Sequence, residues 1–191
     1  MDRREILKVT SLFLGYTLTI GTTSAILGGC KAETSSDWIP KTLSSDEANL
    51  LAEICETILP KTDTPGAKDA LCHRYIDSLL TNFYPPEKQK YFIQSLKVFD
   101  EKSKIKYNKA FVALTPSEKE EILGILVAES KEYTDETGEK PHIFKAIKDA
   151  TVSGYFSSEV GAKGGLCSFL PVPGPYEGCI DYSTVGKAYV L

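Results

Sequence analysis

The sequence has few of the residues that build catalytic and metal centres. Only two of its 191 residues are histidine, His73 and His142, and they lie far apart along the chain. A catalytic zinc site needs about three or more protein ligands, and nucleophilic catalysis needs a serine or cysteine with a histidine base and an orienting acid. No family signature of a hydrolase accompanies either histidine. The sequence therefore argues against a self-sufficient enzyme. A hydrolase or metal protein that uses His73 or His142 is the third of three hypotheses, and the first two are given below.

A cofactor-binding motif is also missing. Gly161-Ala162-Lys163-Gly164-Gly165 does not have the G-x-G-x-x-G spacing of a dinucleotide fold, and no predicted strand precedes it. Covalent haem attachment uses C-x-x-C-H, but position 69, where the first cysteine before Cys72 and His73 would stand, is Asp69. We therefore predict no cofactor and no metal site in this chain.

Positive charge is not in excess. The chain has 22 Lys and Arg against 26 Asp and Glu, a formal net charge of −4. A nucleic-acid-binding domain shows a basic patch, so we predict that the protein does not bind nucleic acid. Acidic pairs recur at helical spacing, Glu53 with Glu56 and Glu118 with Glu121. Such pairs usually lie on solvated helix faces, and we predict that these do. Acid–base catalysis would require their burial.

The N-terminal segment has the features of an export signal. Arg3 and Arg4 precede an uncharged stretch from Val9 to Leu27 in which serine and threonine interrupt the apolar residues. A membrane-spanning helix needs about 20 predominantly apolar residues, and this stretch is too polar for one. The arginine pair followed by Ile6-Leu7-Lys8 resembles the twin-arginine motif of bacterial signal peptides, whose route exports folded proteins. An ordinary secretory signal is the alternative.

A cysteine follows at the end of this segment. Leu27-Gly28-Gly29-Cys30 resembles a lipobox, in which cleavage before the cysteine is followed by its acylation. We predict a signal peptide over residues 1–29, lipid attachment at Cys30 and a flexible tether over residues 30–43. Two or more acyl chains anchor a protein stably, so the predicted location is the cell envelope, periplasmic and lipid-anchored to a membrane. A chance cysteine near the end of a signal is the alternative.

From residue 44 to residue 191 the pattern predicts a single all-α domain of about five helices. Ser44 and Glu47 have the spacing of a capping box at the start of the first helix, and Thr115 and Glu118 repeat it at the start of the fourth. The five predicted helices run from after Ser44 to before Pro60, from Ala67 to about Phe83, from Pro85-Pro86 toward Tyr107, from after Thr115 through Val127, and from Pro141 to a fading end near Gly154.

Beyond about residue 155 glycine and proline become frequent, which predicts an irregular, extended C-terminal tail. Cys55, Cys72, Cys167 and Cys179 follow Cys30, and an exported protein can pair them in more than one way. A disulfide between Cys167 and Cys179 would close a short loop in the tail. Unpaired thiols that act as small apolar side chains are the alternative.

The tail carries candidate partner-binding residues. Aromatic side chains anchor many interfaces, and prolines reduce the entropy lost on ordering. The candidate interface residues are Tyr155, Phe156, Phe169, Pro171, Pro173, Pro175 and Tyr176. The alternative is that the tail packs across the protein's own helices, and both interpretations stay open.

Several stretches of the chain carry a resemblance to a known family. They are Met1–Glu5, Glu56–Pro60, Thr62–Ala67, Gly154–Gly161 and Pro171–Cys179. Together they resemble the small subunit of membrane-associated gluconate 2-dehydrogenase, the subunit 3 family. The resemblance implies a non-catalytic subunit that accompanies a large flavoprotein of the glucose-methanol-choline type. It also implies that FAD and the substrate site belong to the large subunit, and that electrons pass to a cytochrome c subunit or another acceptor.

The main hypothesis is therefore an accessory subunit of a flavin-dependent sugar or polyol dehydrogenase complex. A large subunit without its own signal would be exported with this chain, which would act in its export, maturation and anchoring. Cys30 is a departure, since the twin-arginine peptides of many relatives lack a lipobox cysteine. The second hypothesis is a free-standing envelope lipoprotein that binds another partner.

Overall fold

Helices dominate the computed structural model, which describes residues 38–134, 141–170, 172, 174, 175 and 178–190. In chain order the elements are α1 (Ser45–Ile58), α2 (Cys72–Phe83), α3 (Pro86–Tyr107), a 3-10 helix (Phe111–Ala113), α4 (Pro116–Glu132), α5 (Ile143–Ser157), α6 (Glu159–Lys163), β1 (Ser168–Phe169), α7 (Tyr182–Val185) and β2 (Tyr189–Val190). All of them belong to one compact unit, Pro40–Leu191. The predicted all-α class is confirmed. The predicted signal peptide, with Arg3 and Arg4, and Cys30 lie outside the described residues.

Capping boxes start two of the helices. At α1, the Glu47 amide donates to the Ser44 hydroxyl over 3.3 Å, and the Ser44 amide donates to the Glu47 carboxylate over 2.9 Å. Thr115 and Glu118 exchange the same pair of bonds at the start of α4. These bonds satisfy amides that the helices leave without an internal partner, so both starts follow from the local sequence.

The start of α2 was predicted wrongly. The helix begins at Cys72 instead of Ala67, because Leu71 takes a left-handed conformation with φ of 54°. The preceding residues form turns that are bound to the end of α1. The Ala67 amide donates to the Leu59 carbonyl over 2.9 Å, and the Lys68 amide donates to a Glu56 carboxylate oxygen over 2.8 Å. These distant hydrogen bonds outweigh the helical apolar spacing of the segment.

The end of α5 was also predicted wrongly. The helix continues through Gly154 to Ser157, and α6 follows almost at once. Tyr155, which was predicted to begin the extended tail, is helical and only 1% exposed. Burial of one large aromatic side chain outweighs the roughly 1 kcal/mol that a glycine costs inside a helix.

The core lies around α1, which contacts α2, α4 and α5. Helix α5 also contacts α2 and α4, so the helices enclose one apolar interior. Phe99 of α3 meets Phe111 of the 3-10 helix edge to face, with ring centroids 5.7 Å apart. The fully buried apolar side chains include Leu51, Ile54, Ile76, Leu80, Leu96, Ile122, Leu126 and Ile147.

A buried carboxylate fixes the chain segment before α1. Asp77 of α2 is 2% exposed and accepts the backbone amides of Lys41, Thr42 and Leu43 over 2.9, 3.1 and 3.0 Å. The Thr42 hydroxyl also lies 2.7 Å from that of Thr81. We call this arrangement the Asp77 clamp. Residues 41–43, which were predicted to belong to a flexible tether, are therefore held against α2.

Beyond α6 the described chain is less regular. β1 and β2 pair in parallel, and the Ser168 amide donates to the Ala188 carbonyl over 2.9 Å. Asp181 caps α7 by accepting the Ser183 amide over 2.8 Å. Among the helices of the described ranges, none has both the length and the apolar character required to cross a bilayer.

Candidate docking site

The turn after α1 is organised by the carboxylate of Glu56. One of its oxygens accepts the Lys61 amide over 3.0 Å, and the other accepts the Lys68 amide over 2.8 Å. Gly66 lies against this carboxylate, since a Cβ at that position would be 2.7 Å from Glu56 Oε2. The prediction that Glu56 lies on a solvated face is therefore wrong, because the carboxylate serves as the hydrogen-bond acceptor of a turn.

The turn also has hydrogen bonds of its own. The Thr62 amide donates to the Thr64 carbonyl over 3.0 Å. The Gly66 amide donates to Asp69 over 3.2 Å, and Asp69 forms an ion pair with Lys61 over 3.0 Å. The lysine and the glycine amide lower the pKa of Asp69 below its ordinary value. The conformation of the turn is therefore fixed by hydrogen bonds and an ion pair between its own residues.

Tyr155 connects the end of α5 to this turn. Its hydroxyl donates to the Pro65 carbonyl over 2.8 Å, and its ring meets that of Phe156 edge to face at 5.2 Å. Burial raises the pKa of Tyr155, so the phenol stays protonated as this donor. Tyr155 was predicted to contact a partner, but its side chain is buried within the chain. The prediction for Tyr155 is therefore wrong. Phe156, the next predicted interface residue, is half-buried.

Ser158 and Gly161 form a tight junction between α5 and α6. The Ser158 hydroxyl accepts the Gly161 amide over 2.9 Å and donates to the Tyr155 carbonyl over 2.7 Å. A Cβ at Gly161 would lie 2.7 Å from the Tyr155 carbonyl carbon, so only glycine fits without a shift of the backbone. We call Glu56, Pro65, Gly66, Tyr155 and Gly161 the turn clasp. Three of the stretches that carry the family resemblance meet there.

Glu53 joins three parts of the fold through ion pairs. Its carboxylate lies 2.5 Å from Lys68 in the turn and 2.8 Å from Lys119 in α4. Burial raises the pKa of Glu53, but the two lysines lower it by more, and the net shift is downward. Glu118 belongs to the α4 capping box, and Glu121 bonds with Lys106 and Tyr107. Each of these carboxylates therefore has a specific partner, and Glu121 remains exposed, as predicted for a solvated face.

Two thiols are buried around Thr151. Its hydroxyl donates to Cys55 over 3.3 Å, and the Cys72 thiol donates to its carbonyl over 3.6 Å. Burial raises the pKa of Cys55 to about 12 and that of Cys72 to about 11, so both stay protonated and unreactive. Cys167 is half-buried and Cys179 is exposed, and both are free thiols in the structure. The Cys167–Cys179 disulfide is not formed there.

Both histidines lie among the residues that build the fold. His142 accepts the Phe144 amide over 3.3 Å at the start of α5, and its ring lies 5.4 Å from that of Tyr133. Burial, with the positive charges of Arg74 and Lys68, lowers the pKa of His73 to about 4. Across the described ranges, no three His, Cys, Asp or Glu side chains are grouped as a metal site requires.

The segment after α6 exposes apolar side chains. We call them the tail surface, and their exposed fractions lie between 46% and 79%. The tail surface consists of Leu166, Phe169, Val172, Ile180, Tyr182 and Tyr189. Phe169 is a predicted interface residue, whereas Pro171, Pro173 and Tyr176 lie outside the described residues. The other members were missed, because an isolated apolar residue in an aperiodic segment gives no indication of the side it faces.

Comparison with known proteins gives one match. A family model described as gluconate 2-dehydrogenase subunit 3 matches residues 45–174, which is more than half of the chain. The matched part contains the whole turn clasp and ends before α7 and β2. No curated protein and no solved structure matches the chain.

Proposed function

The chain belongs to the gluconate 2-dehydrogenase subunit 3 family, and we propose that it exports, matures and anchors the flavoprotein subunit of a membrane-associated sugar or polyol dehydrogenase. Family membership makes it an accessory subunit in a complex with a dehydrogenase partner. The proposal adds the nature of that partner, the route of export and the means of anchoring.

The tail surface is the observation that carries the proposal. Exposed apolar patches on a folded protein typically mark contact surfaces. Parallel pairing of β1 with β2 places Ser168 opposite Tyr189, so Phe169 and Tyr189 extend from opposite faces of the two-stranded ribbon. Lys163 lies 6.0 Å above the Phe169 ring. Aromatic residues are enriched at the centres of protein interfaces. We therefore assign the tail surface to the dehydrogenase partner.

The turn clasp supports this surface from within. Tyr155 binds the turn, and a Cβ at Gly164 would lie 3.0 Å from Pro65, so the chain that leaves α6 starts in contact with the turn. We propose that the residues of the clasp, which the family match includes, position the origin of the tail. Their role in the complex is therefore indirect.

The partner is proposed from the family. We propose that the large subunit is a flavoprotein of the glucose-methanol-choline type that binds FAD and the substrate, and that electrons pass to a cytochrome c subunit or another acceptor. In this division of labour the small subunit carries no cofactor. Its contribution is to bind the large subunit and deliver it.

Export and anchoring are proposed from the N-terminal sequence. Arg3 and Arg4 resemble a twin-arginine signal, and Cys30 follows a lipobox-like sequence. A twin-arginine route suits a flavoprotein that has already folded around its cofactor. Acylation of Cys30 would then hold the complex at a membrane of the envelope.

Affinity capture tests the proposal directly. The complete chain with a C-terminal tag is expressed in the cells from which it comes, and the tagged chain is captured from their membranes. We expect a yellow, flavin-containing partner in the eluate. Capture without flavin, or with an unrelated envelope protein instead, would refute the dehydrogenase role and favour the free-standing lipoprotein.

Paired variants locate the interface in the same experiment. Phe169→Asp combined with Tyr182→Asp places charge on the tail surface, and we expect at least a tenfold loss of captured flavin. Ile105→Asp is the control, because Ile105 is 86% exposed on α3 and should tolerate the change. Equal flavin recovery from both variants would show that the large subunit binds elsewhere.

A further inference from the structure

A second exposed surface lies at the corner between α2 and α3. We call Phe83, Tyr84, Lys88, Lys90 and Tyr91 the aromatic-lysine patch. Phe83 is 76% exposed, both lysines are exposed, and Tyr91 is half-buried. A groove of about 310 Å³ opens here between the start of α3 and the start of α5, and Phe83, Tyr84, Lys88 and Tyr91 line part of it. The proposed docking function of the tail surface does not use this patch.

The corner has a fixed backbone. Tyr84 and Pro85 are extended, with ψ of 131° and 155°, and Pro86 begins α3. The Gln89 side-chain amide donates to the carbonyls of Leu80 and Tyr84, both over 2.9 Å. These two bonds tie the start of α3 to the end of α2. The aromatic side chains are therefore presented from an ordered corner.

The Asp77 clamp brings the N-terminal side of the chain to this corner. Thr42 contacts Thr81, and Thr81 is two residues before Phe83, which is about 3 Å along the helix axis. The residues between Cys30 and Pro40 span at most about 36 Å when extended. A lipid attached at Cys30 would therefore limit the distance between Pro40 and a bilayer to about 36 Å, which lets the patch reach the membrane.

We propose that the aromatic-lysine patch contacts the membrane interface, an inference that rests on the lipid anchoring in the proposed function. Tyrosine and other aromatic side chains favour the headgroup region, and lysines near it attract anionic lipids. Lys88 lines the groove, Lys90 is exposed two residues later, and the two lysines outnumber Glu87 in this turn of α3. Phe83 enters the interface while the lysines bind phosphate-bearing headgroups.

This contact orients the rest of the subunit. Helix α5 begins at the groove, where Ile143 and Ala146 form part of its lining, and ends at the junction with α6. Its 15 residues extend about 22 Å. The aromatic-lysine patch and the origin of the tail therefore lie at opposite ends of α5. With the patch on the bilayer, the origin of the tail lies at the other end of α5 from the corner that contacts the lipid.

Fluorescence quenching on vesicles tests the orientation. The chain from residue 31 onward, whose compact unit begins at Pro40, carries an N-terminal His tag and is tethered to vesicles that contain a nickel-chelating lipid, phosphatidylglycerol and a brominated lipid. Trp38, the single tryptophan, is changed to Phe. Phe83→Trp is then compared with Ile105→Trp, whose position is about 28 Å from the start of α3.

We expect the brominated lipid to quench Trp at position 83 at least twofold more than Trp at position 105. Lys88→Glu with Lys90→Glu should reduce this quenching to the control level, whereas Lys97→Glu with Lys104→Glu, on the same helix, should not. Equal quenching at positions 83 and 105 would overturn the proposal. So would protection of position 83 by the large subunit without lipid, since the patch would then be a protein interface.

The artificial tether separates this inference from the function on which it rests. Acyl labelling of the complete chain in cells tests anchoring at Cys30, and Cys30→Ala is its negative control. Quenching by the lipid tests the patch whether or not Cys30 is acylated. Absent labelling with normal quenching would refute the anchor alone, and normal labelling with equal quenching would refute the patch alone.

Discussion

Individual carboxylates organise much of the irregular backbone of this protein. Asp77 accepts three amides, Glu56 accepts two, and Asp100 accepts the Phe111 amide over 2.8 Å at the 3-10 helix. A hydrogen bond to a charged group contributes about 1.5–3 kcal/mol, and an unsatisfied buried amide costs a similar amount. The loops around the helices are thus held by carboxyl side chains that come from the helices themselves.

Removing the Tyr155 hydroxyl tests the turn clasp. Tyr155→Phe leaves the ring in place but deprives the Pro65 carbonyl of its donor. We expect the free energy of unfolding to fall by about 1 kcal/mol, measured by urea denaturation. Tyr182→Phe is the control, because Tyr182 is 77% exposed, and it should leave stability unchanged. Equal stability of the two variants would show that the Pro65 bond does not contribute.

His73 makes stability depend on pH. Its pKa is lowered from 6.5 to about 4 by burial and by nearby positive charge, so the unfolded chain binds a proton first as pH falls. The stability contributed by neutral His73 is fully present above pH 6.5 and is lost as pH falls toward 4. Because the site is partly solvated, we expect a loss on the order of 1 kcal/mol between pH 7 and pH 5.

His73→Gln should reduce this pH dependence, measured as the change in the urea midpoint between pH 7 and pH 5. Some slope should remain, because burial also lowers the pKa of His142. Most carboxylates titrate below this window, so their contribution to the slope is small. An unchanged slope in His73→Gln would assign the pH dependence to other groups.

The sequence predicts a side chain's role well when its partner is close along the chain. The Ser44–Glu47 and Thr115–Glu118 boxes were recognised because their partners are three residues apart. Glu56 reaches the Lys68 amide 12 residues away, and Asp77 reaches amides 34 to 36 residues away. Such pairs depend on how helices pack, which the local pattern does not contain.

Helix boundaries were predicted correctly where residues close along the chain determine them. α1, α3 and α4 start near their predicted positions because prolines and capping residues mark them. α2 starts late because Leu71 turns out of the helical conformation, and α5 ends late because Tyr155 is needed in the core. α6 was not predicted, because it has only five residues and one of them is a glycine, although a serine caps its start.

The junction between α5 and α6 gives a prediction for a whole element. Gly161→Ala forces a methyl group against the Tyr155 carbonyl, so we expect α6 to shift and the free energy of unfolding to fall by about 2 kcal/mol. Gly124→Ala in α4 is the matched control, because nothing lies within 4 Å of its Cβ position. That variant should gain up to about 1 kcal/mol, measured by thermal or urea unfolding. Loss of stability in both variants would contradict a specific close approach at Gly161.

For the molecule as a whole, the proposed twin-arginine motif makes a prediction about the proposed flavoprotein partner. Arg3→Lys with Arg4→Lys keeps the positive charge that an ordinary secretory signal needs but removes the arginine pair. We expect both this chain and the large flavoprotein to remain in the cytoplasm, measured by fractionation and flavin content. A large subunit that still reaches the envelope would refute the escort role.

At this scale the sequence was sufficient for the class of fold and for the family, because helical periodicity and several long motifs are spread over the chain. The surfaces were harder to predict. Phe83 follows the apolar spacing of α2 yet is 76% exposed, because it lies at the end of the helix beyond the packed interior. Tyr155 is the opposite case. It follows a glycine and was predicted to be in the tail, yet its side chain is buried in the core.

The Asp77 clamp holds the chain where it enters the helical domain from the N-terminal side. Tension along the chain from its N-terminal side reaches Lys41, Thr42 and Leu43 before it reaches the first turn of α1. Their three bonds end on one carboxylate, so they resist as a group, and the force passes sideways into α2. Under the proposed anchoring at Cys30, drag on a bound dehydrogenase partner would therefore load this junction before it loads the helix behind it.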